Sequence, residues 1–278
     1  MEILPGVHVI TVGQNPGPGL FPPNSYVVVG SRNSALIDTG WNQPEHIRAR
    51  LDYLHALKPP PVAAIIITHR HPDHMGGAAA LSQATGAPIY AAPAEKPAIN
   101  QAIERQGASV RVHHTPAHGQ RLDLGGKEVE FIHSPGHTLG SLSVLLRPEG
   151  VLFTGDTVLG MGTTVVNPDE GDMALYLQTL HTLLEYAPTV ICPGHGPLVR
   201  NPRAKIQELI QHRLEREAQI VDALRTAPKT LDALREEVYP ELEPRLHTMA
   251  RNQLRTHLAK LEKEGRVALQ DNHYRLLR

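Results

Sequence analysis

The chain has 278 residues, 41% apolar and 20% charged, and its 27 basic side chains nearly balance 28 acidic ones. That composition excludes a disordered or fibrous protein, and a single cysteine, Cys192, excludes a disulfide scaffold, a four-cysteine zinc module and a CxxC redox site. The count that stands out is 17 histidines.

In chain order, the first 200 residues read as short strands broken by Gly/Pro turns: VHVITV, SYVVVG and SALIDTG, then a helix from Pro44 to Leu57. The strand VAAIIIT runs directly into HRHPDHMGG, and a helix near Gly77–Gly86 precedes APIYA. RLDLGG, KEVEFIHSPGH, SLSVLLR, GVLFTGD and TVICPGHG follow as further strands and turns. Strands and helices mixed in this way predict an α/β sandwich of sheets covered by helices. From Arg203 the spacing turns helical, with Ile206, Leu209, Ile210, Leu214, Ala218, Ile220 and Leu224 close to helical spacing. TLDALREEVY and RLHTMARNQLRTHLAKLEKEG make two more helices, the latter stopped by Gly265, and RVALQDNHYRLLR makes a hairpin about Asp271-Asn272. Three helices and a hairpin resemble a winged-helix module. The expected domains are therefore 1–202 and 203–278. The first 200 residues carry 12 basic and 16 acidic groups and the rest 15 and 12, an asymmetry that permits an anionic partner for the tail without demanding one.

Apolar runs such as VAAIII fall well short of the roughly 20 residues a membrane span needs, and MEILPGVHVITVG lacks the layout of a secretory leader. The expectation is a cytoplasmic protein with no membrane partner.

THRHPDHMGG, residues 68–77, places His69, His71, Asp73 and His74 in one loop after a buried strand. One histidine alone would read as a solvated side chain; three imidazoles and a carboxylate presented together read as ligands for zinc or another first-row divalent ion. Three later segments repeat strand, tight turn and ligand: FIHSPGHT with His137, VLFTGDT with Asp156 and VICPGHG with His195. Seven ligands suffice for two metals: His69, His71 and His137 at one, Asp73, His74 and His195 at the other, and Asp156 between them.

These motifs resemble those of the metallo-β-lactamase fold hydrolases, and the resemblance implies an αββα sandwich and the ligand assignment just given. Asp156 stands where the true β-lactamase branch typically has a cysteine, which favours the dinuclear thioesterases, phosphodiesterases and nucleases. LFTGDTVLGMGTTVV, GDMALYLQTLHTLL, PGHGPLV and the helical tail narrow the resemblance to the β-lactamase-like protein 2 family, with its small C-terminal winged-helix-like domain. What this implies is a dinuclear zinc hydrolase, with manganese or iron as substitutes, cutting single-stranded RNA through a metal-bridging hydroxide that Asp73 orients and whose proton it shuttles. Fungal relatives of the same layout resemble acyl-carrier-protein thioesterases, so a thioesterase or lactonase acting on a small acyl or ester substrate is the alternative, with glyoxalase-like or promiscuous β-lactam hydrolysis in the same class. A winged-helix nucleic-acid-binding protein with a structural metal is the alternative of another class; seven ligands speak against it, because a structural zinc closes with four.

Other residues invite weaker readings. Thr163 and Thr164 are candidates for the substrate cleft. Asn24, Ser25 and Asp38 read as structural or ligand-supporting, His113, His114 and His118 as surface histidines, His133 as ordinary strand alternation, and Cys192 as a buried small residue. Arg70 points away from the ligands on either side, toward an anionic substrate or solvent. Arg245, Arg251, Arg255, Lys260 and Lys263 line the last long helix, but interleaved Glu262 and Glu264 favour a solvated face over sequence-specific DNA contact; help with RNA or packing of a homodimer stays open.

Overall fold

The computed structural model describes residues 1–13 and 21–277. Contacts divide the chain into two units: Met1–Ser134, Gly140–Thr164 and Tyr186–Pro202 form the first, and Pro135–Leu139, Val165–Glu185 and Arg203–Arg278 the second.

The first unit holds two sheets. One has seven strands in sequence order: β1 (Glu2–Leu4), β2 (Val7–Thr11), β3 (Asn24–Val29), β4 (Ser34–Ile37), β5 (Val62–Ile66), β6 (Ile89–Tyr90) and β7 (Val112–His114). The pairs up to β3/β4 are antiparallel, whereas β4 through β7 run parallel. Parallel neighbours need crossover connections. Those are supplied by α1 (Pro44–Leu57), by α2 (Pro72–Met75) with α3 (Ala78–Thr85), and by α4 (Lys96–Arg105). The other sheet is ordered β12-β11-β10-β9-β8, from β8 (Arg121–Asp123), β9 (Glu128–His133), β10 (Leu142–Arg147), β11 (Val151–Gly155) and β12 (Val190–Pro193).

Side-chain alternation explains the apolar runs. Val28, Ile37 and Ile66 pack with Phe131, Val144 and Phe153 of the second sheet, while Val27, Leu36 and Ile65, one residue out of phase, pack with Leu54, Leu81 and Ile99 of the helices. Both faces of β3, β4 and β5 are thus buried, which is why these strands read as continuous apolar runs. Each such side chain contributes roughly 1.5–3 kcal/mol by its removal from water. The helix α4 is not announced by the sequence, because its apolar stripe is little more than Ile99 and Ile103.

The second unit contains α5 (Met173–Glu185), α6 (Pro202–Thr226), α7 (Leu231–Val238), α8 (His247–Lys263) and the hairpin β13 (Val267–Gln270) and β14 (His273–Leu276). Ile220, Leu224, Leu234, Leu254, Leu258 and Leu261 make its core. The Thr230 hydroxyl caps α7 by accepting from Ala233 N, and Asp271-Asn272 turn the hairpin with φ of 48° and 61°, the two positive angles a two-residue turn of this type requires. The expected α/β sandwich and winged-helix-like region are both present.

Candidate metal centre

The ligand loop leaves the end of β5, where the chain passes through Thr68 into His69. Pro72 starts the single turn of α2, so Asp73 and His74 project from its first residues. β11 and β12 are parallel, with Gly155 opposite Pro193, so Asp156 and His195 emerge at the same end of adjacent strands.

Within the first unit, the ligand atoms of His69, His71 and Asp156 lie within 4.8 Å of one another, as do those of Asp73, His74 and His195. His69 Nε2 is 2.9 Å from His71 Nδ1, and His74 Nε2 is 3.1 Å from His195 Nε2. Asp156 Oδ1 approaches His74 Nε2 at 3.3 Å while its Oδ2 approaches His195 Nε2 at 3.6 Å, and Asp73 Oδ2 is 3.2 Å from the same His195 nitrogen. Asp156 therefore adjoins both groups. Imidazole nitrogens aimed at one another with carboxylate oxygens between them are costly unless protons or a cation sit among them, and an all N/O donor set suits zinc, manganese or iron. The residues fit the expected metal.

Outer contacts fix most of these rings. Asp38 Oδ2 accepts from His74 Nδ1 at 2.8 Å and also binds the Thr68 hydroxyl, while Oδ1 takes the Thr68 backbone N–H. His195 Nδ1 meets the Phe21 carbonyl at 2.7 Å, and His69 Nδ1 meets Thr68 Oγ1 at 3.0 Å. His137, in the 135–139 segment of the second unit, has its Nδ1 2.7 Å from the Val165 carbonyl, which leaves the lone pair on Nε2. A Cβ at Gly194 would stand 2.4 Å from Asp156 Oδ1 and 2.7 Å from His74 Cε1, so only glycine fits there.

The electrostatics couple the groups. Burial works against charge on His74, but Asp156 and Asp38 outweigh it and raise its proton affinity well above the ordinary value. Burial likewise opposes ionisation of Asp156, yet His74, with His69 and His195, holds that carboxyl well below the usual range. Asp73 is lowered despite its burial, chiefly by His195, and His195 is raised despite its own, chiefly by Asp73.

Arg70 is partly exposed, and its guanidinium forks onto the fully buried Glu95 at 2.8 and 3.0 Å, a partner not anticipated from the sequence. Nothing in the sequence around Glu95 signalled this role. Asn24 donates to the carbonyls of Pro193 and Gly196, and Ser25 accepts from the buried Arg50, both structural ties. His113 and His118 accept backbone N–H bonds from Ile89 and His133, His133 Nε2 meets the Pro116 carbonyl, and Cys192 is buried in the core between the sheets. Thr163 is half-buried and Thr164 buried. In the tail, Arg245 pairs with Glu243, Arg251 with Asp232, Arg255 with Asp169, Lys260 with Glu217 and Lys263 with Asp172, so each cation considered for nucleic acid already has an acidic neighbour. Near His195 a cavity of about 460 Å³ is lined by Phe21, Pro22, Met161 and Pro197, with Thr11 and Asn24.

Residues 18–195 match the family described as the metallo-beta-lactamase superfamily, and residues 230–274 match the beta-lactamase associated winged helix domain. The chain belongs to the metallo-beta-lactamase superfamily and is a metal-dependent hydrolase of it. More particularly, it is related to the beta-lactamase-like protein 2 homologues: the one from Drosophila melanogaster is 32% identical over 96% of this chain and 94% of its own. An atrochrysone carboxyl ACP thioesterase from Passalora fulva is 30% identical over 80% of this chain and 64% of its own. A metallo-beta-lactamase family protein from Thermus thermophilus superposes with a TM-score of 0.77 at 25% identity, covering 99% of this chain and all of the other. Among the described residues no helix is long and apolar enough to cross a membrane.

Proposed function

We propose that this hydrolase uses two zinc ions to cleave phosphodiester bonds of single-stranded RNA. His69, His71 and His137 would hold one ion, Asp73, His74 and His195 the other, and Asp156 would serve both. The observation that carries the two-ion reading is the position of Asp156, whose two oxygens stand beside His74 and His195 while it also groups with His69 and His71. Similarity to beta-lactamase-like protein 2 homologues runs over nearly the whole chain, and RNA is the substrate that the resemblance to that family implies.

When bound, the two ions supply a strongly nucleophilic water-derived oxygen at neutral pH and draw charge from the oxygen under attack. The histidines position and do not take protons, since His69, His74, His137 and His195 each have their other ring nitrogen engaged. Asp73 is the group that orients the nucleophile and accepts its proton. Thr163 and Thr164 are assigned to the wall of the substrate cleft.

One observation favours a second reading. Among the described residues, the cavity beside His195 is lined mainly by apolar side chains, with no cation in its wall for a phosphate, which suits the acyl part of a thioester or lactone. Zinc- and manganese-loaded protein assayed on single-stranded RNA, acyl thioesters, lactones and a β-lactam separates the two, with Asp73→Asn in the same panel. RNA cleavage that falls about 10²–10⁴-fold in Asp73→Asn supports the first reading. Cleavage untouched by that substitution exposes a contaminating nuclease, and turnover of thioesters without RNA cleavage establishes the second.

A further inference from the structure

Arg70 lies between His69 and His71, and it is tied to Glu95 of the segment before α4. Its backbone N–H donates to Glu95 Oε2 at 2.9 Å, its Nε donates to the same oxygen at 2.8 Å, and its Nη2 donates to Oε1 at 3.0 Å. The backbone N–H of Gly140, two residues before β10, donates to Oε1 at 3.0 Å. A carboxylate has about four acceptor positions, and here four donors occupy them. Glu95 is fully buried, and a Cβ on Gly140 would lie 2.6 Å from Oε1, so the chain approaches this carboxylate as closely as glycine allows.

A saturated, buried carboxylate has no capacity left to move a proton or meet a substrate. A buried ion pair is also a weak source of stability, because desolvation of both charges offsets their attraction. What the pair does supply is position: it holds the backbone of residue 70 and the guanidinium at one point, and so fixes the turn from which the two neighbouring imidazoles extend. We infer that Glu95, acting through Arg70, is a positioning residue that sets the convergence of His69 and His71 on the first metal. This rests on the two-ion reading given above. It assigns the Glu95–Arg70 clamp to one ion and not to the other, since His74 is oriented independently by Asp38 and His195 by Phe21.

The test is titration of metal-free protein with Zn²⁺ by calorimetry, and with Co²⁺ followed by its visible absorption, for the wild type, Glu95→Gln, Arg70→Lys and the double variant, each checked for folding by thermal unfolding. Gln loses the charge and turns an acceptor into a donor; Lys keeps the charge and loses the fork. The expected result is two binding events in the wild type, with one weakened about 10- to 100-fold in each single variant, the scale for losing a ligand-supporting group. The double variant is expected to be no worse than the more affected single, because both break one clamp. Folded variants with both affinities intact, or with both ions weakened alike, overturn the clamp. If Glu95→Gln does not fold, the partly exposed Arg70→Lys decides the matter alone. A wild type that binds fewer than two ions sinks the two-ion reading itself, a distinct failure.

Discussion

His74 Nδ1 stands 2.8 Å from Asp38 Oδ2, and the same carboxylate grips Thr68 by its backbone N–H and its hydroxyl. One side chain at the end of β4 thereby orients a ligand and fixes the start of the loop that carries four of them. Asp38 adopts φ of 57°, a conformation asparagine tolerates. Asp38→Asn is therefore expected to fold, to lose charge behind His74 and to weaken metal binding about 10- to 100-fold. Metal titration of the variant checks this.

Gly194 offers a steric test. Gly194→Ala puts a methyl group 2.4 Å from Asp156 Oδ1 and 2.7 Å from His74 Cε1, below any tolerable contact. Bound metal and hydrolysis are expected to fall together in this variant. An alanine variant with full metal content would contradict the geometry.

Protons and metal compete for the same nitrogens. The proton affinities of His74 and His195 are raised by their carboxylate neighbours after burial has opposed them. Metal affinity is full above those raised values and is lost as the pH falls through them, beginning at a higher pH than an ordinary histidine would require. Dialysis at about pH 5, below the ordinary histidine value, should strip metal that is retained at alkaline pH. Retention independent of pH over that range would contradict the assignment.

Cys192 is buried between the sheets, and burial pushes its thiol up to about 12. It should resist alkylation in the native protein, and Cys192→Ala should keep metal and activity at a cost of roughly 1 kcal/mol in stability, the usual scale of a point change. Loss of metal in that variant would show a role the structure does not give it.

The sheets and ligand motifs are legible in the sequence because β-strand alternation and strand–turn–ligand repeats are local. Ile37, Ile66 and Phe153 announce buried strands by themselves, and HRHPDH announces its chemistry within six residues. Partnerships across the chain are not legible. Glu95 sits 25 residues from Arg70, and the Phe21 carbonyl 174 residues from the His195 it orients. A carbonyl has no residue type to recognise, and a lone glutamate reads as surface. For the same reason Arg70 reads as free for a substrate. The sequence shows Glu262 and Glu264 interleaved with the cations of α8, but not the more distant Asp232, Asp169, Glu217 and Asp172 with which those cations pair.

The most direct test of the account is the number of ions bound per chain at saturation, measured by elemental analysis of purified protein after removal of excess zinc. The ligands assembled around Asp156 predict two. A stoichiometry of one, unchanged by added zinc or manganese, would contradict the dinuclear centre from which the proposed chemistry is derived.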